Sequence, residues 1–177
     1  LVAETVTEVT LDIDDGTLPF AQAAAEAGAP LSLDGVVPRG DGAVVCYLHG
    51  DGLDEPVAAA LRADEAVTDV RWIRETADPQ VQATVHDETA IGRVVGWGAT
   101  VRAAEYSADS ARIMDEVPPD GDVRRLVETV DSAVAETALV AKSETTPGVE
   151  TAEGYRETLD DRLTDRQHAA LRTAYLS

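Results

Sequence analysis

Apolar and polar residues alternate where Val9, Leu11 and Ile13 are interleaved with Thr10 and Asp12, the period of a strand with one buried face. Asp14-Asp15-Gly16 ends it. Thr17 then stands as the cap of a short helix through Pro19, Phe20, Ala23 and Ala24, which Gly28 terminates. Leu31, Leu33 and Val36-Val37 predict a second strand and Ala43 to His49 a third. The turn Pro38-Arg39-Gly40-Asp41-Gly42 joins them as a hairpin. Asp54 and Pro56 open a helix whose inner face is Val57, Ala60 and Leu61. Val67 to Arg74 reads as a fourth strand with Val70 and Trp72 on one side.

The same order of elements then returns. Val81, Ala83 and Val85 alternate as a strand, and Thr89 caps a helix carrying Ile91, Val94 and Val95 that ends at Gly96-Trp97-Gly98. Thr100 to Tyr106 and Ala111 to Val117 predict a hairpin through Ser107-Ala108-Asp109-Ser110. Asp120 or Asp122 opens a helix with Val123, Leu126, Val127 and Val130, and Val134 to Ala141 is the closing strand. Each half reads β-α-β-β-α-β, the ferredoxin-like order. The expected fold class is α+β, with two tandem ferredoxin-like units over residues 8–142. Helices cover one sheet face, and the other face calls for a partner: the second repeat, another subunit or a sensor domain.

Past Ser143 the pattern changes. Ser143-Glu144-Thr145-Thr146-Pro147-Gly148 reads as linker, with the domain boundary near residue 145. The expected organisation is an α+β domain over 1–145, an acidic linker over 146–162 and a helix over 163–177. Thr164 caps that helix, Gln167 takes the capping-box position and Leu163 can staple the first turn. Ala170, Leu171, Ala174 and Tyr175 form one apolar face, which a helix this short cannot bury alone. The chain therefore reads as cut partway through a second domain, and the absence of Met before Leu1 fits an excised segment.

Leu163-Thr164-x-x-Gln167-x-x-Ala170-Leu171-x-x-Ala174-Tyr175 resembles the opening of the C-terminal helix-turn-helix of haloarchaeal regulators of the bacterio-opsin activator type. The resemblance implies that the motif begins the first helix of a DNA-binding domain whose remainder lies outside this chain. It implies an upstream sensor domain of PAS or GAF type in the parent protein, and an α+β region that relays signal or assembles dimers. A helix-turn-helix usually works as a dimer on half-sites about 34–36 Å apart, so a homodimer is expected. The composition is similar to that of a haloarchaeal proteome. Of 177 residues, 34 are acidic and 14 basic, giving a net charge of -20, and Lys142 is the single lysine. In several-molar salt the Debye length falls below about 3 Å, so this charge hydrates the surface without tearing the fold apart. The same charge makes the chain itself a poor nucleic-acid binder, and DNA contact is assigned to the missing domain. The hydrophobic fraction of 44% and the regular patterning exclude a disordered acidic chain.

Candidate chemistry adds little. Cys46, the one cysteine, excludes an internal disulfide and favours a cytoplasmic location; it reads as a buried, inert thiol in a central strand. Arg39-Gly40-Asp41 is a hairpin turn. Asp12, Asp14, Asp15 and Gly16 fail as a calcium loop, because Gly16 and Ala23 stand where carboxylates belong. His49, His86 and His168 are isolated, so no metal site is expected. Gly92, Gly96 and Gly98 lack the strand-glycine-helix context of a dinucleotide site. Arg124 and Arg125 pair locally with Glu128. No stretch approaches the about 20 apolar residues of a membrane span. The chain reads as a non-enzyme with no catalytic residue, no cofactor and no nameable ligand-binding residue. An amino-acid-sensor-like small-molecule module of ferredoxin-like shape stays open as the alternative. Asp51-Gly52 and Gly96-Trp97-Gly98 are the places where a ligand would be sought.

Overall fold

In the order of the chain, the computed structural model runs β1(Val6–Asp14), α1(Pro19–Ala27), β2(Leu31–Pro38), β3(Val44–His49), α2(Glu55–Ala63), β4(Val67–Arg74), β5(Gln80–Val85), α3(Ala90–Trp97), β6(Thr100–Ser107), β7(Ser110–Val117), α4(Val123–Asp131) and β8(Thr137–Thr145). It describes residues 6–145. The linker over 146–162, the Leu163 helix and His168 lie outside the described residues.

All eight strands join one sheet, in the order β4-β5-β3-β2-β6-β7-β1-β8. This corrects the expectation of two tandem units, each folded from one contiguous half. β1 does not join β2, β3 and β4 of its own half. It pairs antiparallel with β7, Asp12 opposite Arg112, and β8 flanks its other side. β5 lies between β3 and β4. The first strand of each half has been exchanged into the other half. Substituting β1 for β5, β2 for β6, β3 for β7 and β4 for β8 reverses the strand order, so the two halves are related by a pseudo-twofold through the β2–β6 seam. The seam pairs Leu31 with Tyr106, Ser32 with Glu105 and Leu33 with Ala104. A bulge interrupts both seam strands, at Asp34 in β2 and at Arg102 in β6.

Alternation sets what each strand buries. One phase is sealed: Leu11 and Ile13, Leu31 and Leu33, Cys46 and Leu48, Val81 and Ala83, and Ile113 and Val117 are all at most 1% exposed. The four helices cover this face, α1 against α2 and α3 against α4. Phe20 of α1 meets Tyr106 of β6 edge to face, with ring centroids 5.2 Å apart. Val6–Glu144 makes one compact unit around this core. The opposite phase forms an open, polar face.

The helix starts follow local chemistry. Asp54 accepts from Val57 N (3.1 Å), Thr89 from Gly92 N (3.1 Å) and Asp122 from Arg124 N and Arg125 N, each a side-chain cap. Thr17 does not cap α1. Asp15 takes both its amide (2.8 Å) and its hydroxyl (2.6 Å) in a tight turn, and Leu18 precedes Pro19 as an uncapped start. Those bonds, the Thr17 hydroxyl's first, lower the Asp15 carboxyl's pKa. Ala58, not Ala60, faces inward on α2, because a run of alanines leaves the phase of the helix open. The closing strand begins at Thr137 and runs through Ser143, Glu144 and Thr145, residues whose polarity suggested linker. Arg124 pairs with Glu128 at 3.4 Å, whereas Arg125 turns to Asp122 at 4.0 Å.

Candidate functional site

The open face gathers the polar side chains. At the end of β3, His49 Nε2 lies 2.9 Å from Asp34 Oδ1 and Nδ1 lies 3.5 Å from Asp78 Oδ1. Gln80 Nε2 donates to Asp34 Oδ2 at 3.4 Å. Ala77 and Asp78, in the β4–β5 loop, hold φ of 51° and 68°, left-handed values that side chains resist. Arg74 anchors that loop, donating to the Asp78 carbonyl (3.2 Å) and carboxylate (3.3 Å). His49 is thus part of a network joining β2, β3 and the β4–β5 loop, although it is isolated in sequence from other histidines and cysteines.

Farther along the same face, Arg112 donates to both Asp12 oxygens (2.7 and 2.8 Å). The hydrogen bonds it donates to Asp12 hold the guanidinium pKa above its ordinary value. A half-exposed bidentate pair of this kind contributes about 1 kcal/mol. Arg102 bonds Glu116, and Arg71 bonds Asp69. Each of these guanidiniums is answered by a carboxylate, so the face offers no basic track for a phosphate backbone.

A cleft of about 400 Å³ opens at one end of the sheet, lined by Arg39, Asp41, Thr68, Asp69, Arg71 and His86, among others. The Arg39-Gly40-Asp41 turn forms part of its rim. Arg39 bonds Asp41 at 2.8 Å, Asp41 accepts from Ala43 N at 3.1 Å, and Gly42 supplies a φ of 90°. Of the two glycine regions singled out in sequence, the first is closed by packing, since a Cβ on Gly52 would meet the Ala27 carbonyl at 2.6 Å, whereas Gly96 and Gly98 have nothing within 4 Å of a Cβ. Gly98 closes α3 in the left-handed conformation. Among the described residues no group of three or more His, Cys, Asp or Glu is arranged to hold a metal ion.

The sealed face holds one anomaly. Asp115 lies on β7 between Val9 of β1 and Val101 of β6, 1% exposed, and neither carboxylate oxygen has a hydrogen-bond partner. Burial pushes its pKa up to about 8, so the group is largely neutral at pH 7. Cys46 is fully buried, and burial lifts its thiol to about 12. Tyr106 is also pushed up, by burial first. A neutral thiol under the helices is a packing group rather than a nucleophile, as the sequence suggested.

An eight-stranded sheet with helices on one face and a self-neutralised open face is the frame on which the comparisons bear. The family model described as "BAT: GAF and HTH_10 associated domain" matches residues 4–157. The chain belongs to the BAT family. A putative transcriptional regulator of Haloferax volcanii is 32% identical over 183 residues, covering 100% of this chain and 31% of that protein. A bacterioopsin transcriptional activator of Halobacterium salinarum is 26% identical over 180 residues, covering 100% of this chain and 27% of that protein. The chain spans less than a third of the length of these two relatives. The sequence resemblance named the right family, although the terminal motif that carried it, Leu163 to Tyr175, lies wholly outside the matched residues.

Within this BAT domain, sequence reading missed Asp115 and the His49 network. The signal for Asp115 was present: in Ser110–Val117 it shares the phase of Ala111, Ile113 and Val117. The network left no local trace, because Asp34, His49 and Asp78 come from three separate segments. No helix among the described residues is long and apolar enough to cross a membrane.

Proposed function

We propose that this BAT domain is the regulatory segment of a DNA-binding transcription regulator. Residues 1–145 relay a signal from an upstream sensor domain or assemble dimers, residues 146–162 are the linker, and Leu163 begins the first helix of a C-terminal helix-turn-helix that contacts DNA from the cytoplasm. The observation that carries this reading is the family match over residues 4–157, whose description couples the domain to GAF and helix-turn-helix partners. The paired guanidiniums of the open face and the net charge of -20 support it, since they remove the domain itself from DNA contact. Fluorescence anisotropy with a labelled promoter duplex tests the division of labour. This chain should leave the signal unchanged, and a longer protein carrying the complete helix-turn-helix should bind. Removing residues 6–145 from the longer protein should weaken binding about tenfold or more, by loss of the paired arrangement. Equal affinity with and without those residues would refute the assembly role.

The polar cleft favours a second reading, a small-molecule-binding regulatory module. Its chemistry is modest, since Arg39 and Arg71 already face Asp41 and Asp69. A thermal-shift screen against anionic and zwitterionic metabolites should raise the melting temperature for a true ligand. A flat response across the panel would retire this reading.

A further inference from the structure

The two edges of the sheet are built differently. β4 is covered by α2: Val67 and Val70 are 7% exposed, and Trp72 Nε1 donates to Glu55 of α2 at 2.9 Å. It too carries an exposed apolar residue, Ile73 at 47%, but that residue stands among Asp69, Arg71 and Arg74, the charges that blunt an edge. β8 is the opposite case. Its outer edge pairs with no other described strand, although the Thr137 amide donates to Asp131 at 3.0 Å; Leu139 is 42% and Val140 48% exposed, and Ala138 and Ala141 are exposed beside them. A run of Ala138-Leu139-Val140-Ala141 on an open edge is a template for another strand.

We propose that β8 pairs antiparallel with β8 of a second copy, in a register centred on Leu139. The inference rests on the assembly role assigned above and gives it a surface. In that register Leu139 faces its own image, Ala138 faces Val140, Thr137 faces Ala141, and Glu136 faces Lys142, because each pair sums to 278. Lys142, the single lysine of a chain with net charge -20, then meets a carboxylate at both ends of the pairing. Lys142 and Glu136 make no ion pair among the described residues of their own copy. Opposed residues share a face in an antiparallel pair, so both ion pairs form on the side that carries Val140. Moving the pairing to a centre on Val140 sets Glu136 against Glu144 and Lys142 against Ala138, which strips the ion pairs and opposes like charges. The two eight-stranded sheets continue as one. Thr145 lies six residues from the centre, so the two copies of Thr145 leave the pairing about 40 Å apart at about 3.3 Å per residue. That span is comparable with the about 34–36 Å between helix-turn-helix half-sites.

Light scattering coupled to size exclusion, run on the 177-residue chain in molar salt, should give the mass of a dimer. Leu139→Asp should weaken association about a hundredfold, with circular dichroism run beside it to show that the fold is kept. The register has its own readout. In a Cys46→Ser background, Leu139→Cys should oxidise to a covalent dimer, since directly opposed Cβ atoms lie within disulfide reach, whereas Ala141→Cys should not. A monomer at all accessible concentrations, or a dimer indifferent to Leu139→Asp, would overturn the inference. Crosslinking at position 141 rather than 139 would overturn the register. If the β8 dimer forms and the longer protein ignores DNA, the regulator reading fails and this one stands. If the longer protein binds DNA as a dimer held elsewhere, the outcome is reversed.

Discussion

Asp115→Val should make the protein more stable, by a margin that widens as the pH rises. The wild-type carboxyl is buried without a partner and has a pKa of about 8, against about 3.9 for an Asp in the unfolded chain. Below about pH 4 both states hold the proton, and the residue adds no pH dependence. Between about pH 4 and 8 the unfolded state releases the proton while the folded state keeps it. Stability therefore falls as pH rises, by about 1.4 kcal/mol per unit, and levels off above the folded pKa. The full swing is on the order of 5 kcal/mol. Valine is close to Asp in size and suits Val9 and Val101 on the flanking strands, so it removes both the orphaned carboxyl and the slope. Asp115→Asn should remove the slope and keep part of the cost of burying a polar group. Denaturant titrations of both proteins at pH 5 and pH 8 provide the check. Curves that stay parallel across that range would show that Asp115 does not carry the buried proton.

Gly92→Ala should cost about 3 kcal/mol, enough to lower the melting temperature by about 10 °C. A Cβ at this position would lie 2.6 Å from the His86 carbonyl oxygen and 2.7 Å from the Asp87 Cα and carbonyl oxygen. All three are backbone atoms in the loop leading into α3, so no side chain can swing aside. Gly96 gives the control within the same helix. It is exposed and has nothing within 4 Å of the Cβ position, so Gly96→Ala should stabilise by about 0.5–1 kcal/mol. Thermal melts of the two variants should move in opposite directions. A tolerated Gly92→Ala would mean that the β5–α3 loop relaxes freely.

All twelve elements were legible from periodicity, and so were the caps at Asp54 and Thr89, while the pattern left Asp120 and Asp122 as equal candidates for the third. Period two tells which way Leu11 and Ile113 point, but it does not tell which strand lies beside which. Contiguous halves were the economical assumption, and the exchange of β1 and β5 defeats it. Long-range contacts accompany the exchange: Asp12 meets Arg112 across 100 positions of sequence, and Asp15 holds the amide of Ala135 at 2.9 Å. Neither pair can be singled out in a chain with 34 carboxylates. Asp115 was readable in principle, as a charge in the apolar phase of β7. Gly92 was not, because a glycine in the first turn of a helix looks the same whether or not a backbone crosses close to it.

The exchanged first strand also bears on how the molecule is made. β1 leaves the ribosome first of the eight strands, but its partner β7 follows about a hundred residues later and β8 later still. At about 5–20 residues per second, an alternating apolar strand waits several seconds or more with no lasting partner. The hairpin of β2 and β3 and the strand β4 are complete long before then, and β1 is the nearest strand able to fill the place β5 will take. The nascent chain thus passes through an interval in which the tandem arrangement expected from sequence is within reach, and the mature sheet requires β1 to be left free or to be released. Pairing this distant in sequence predicts slow, late closure of the sheet.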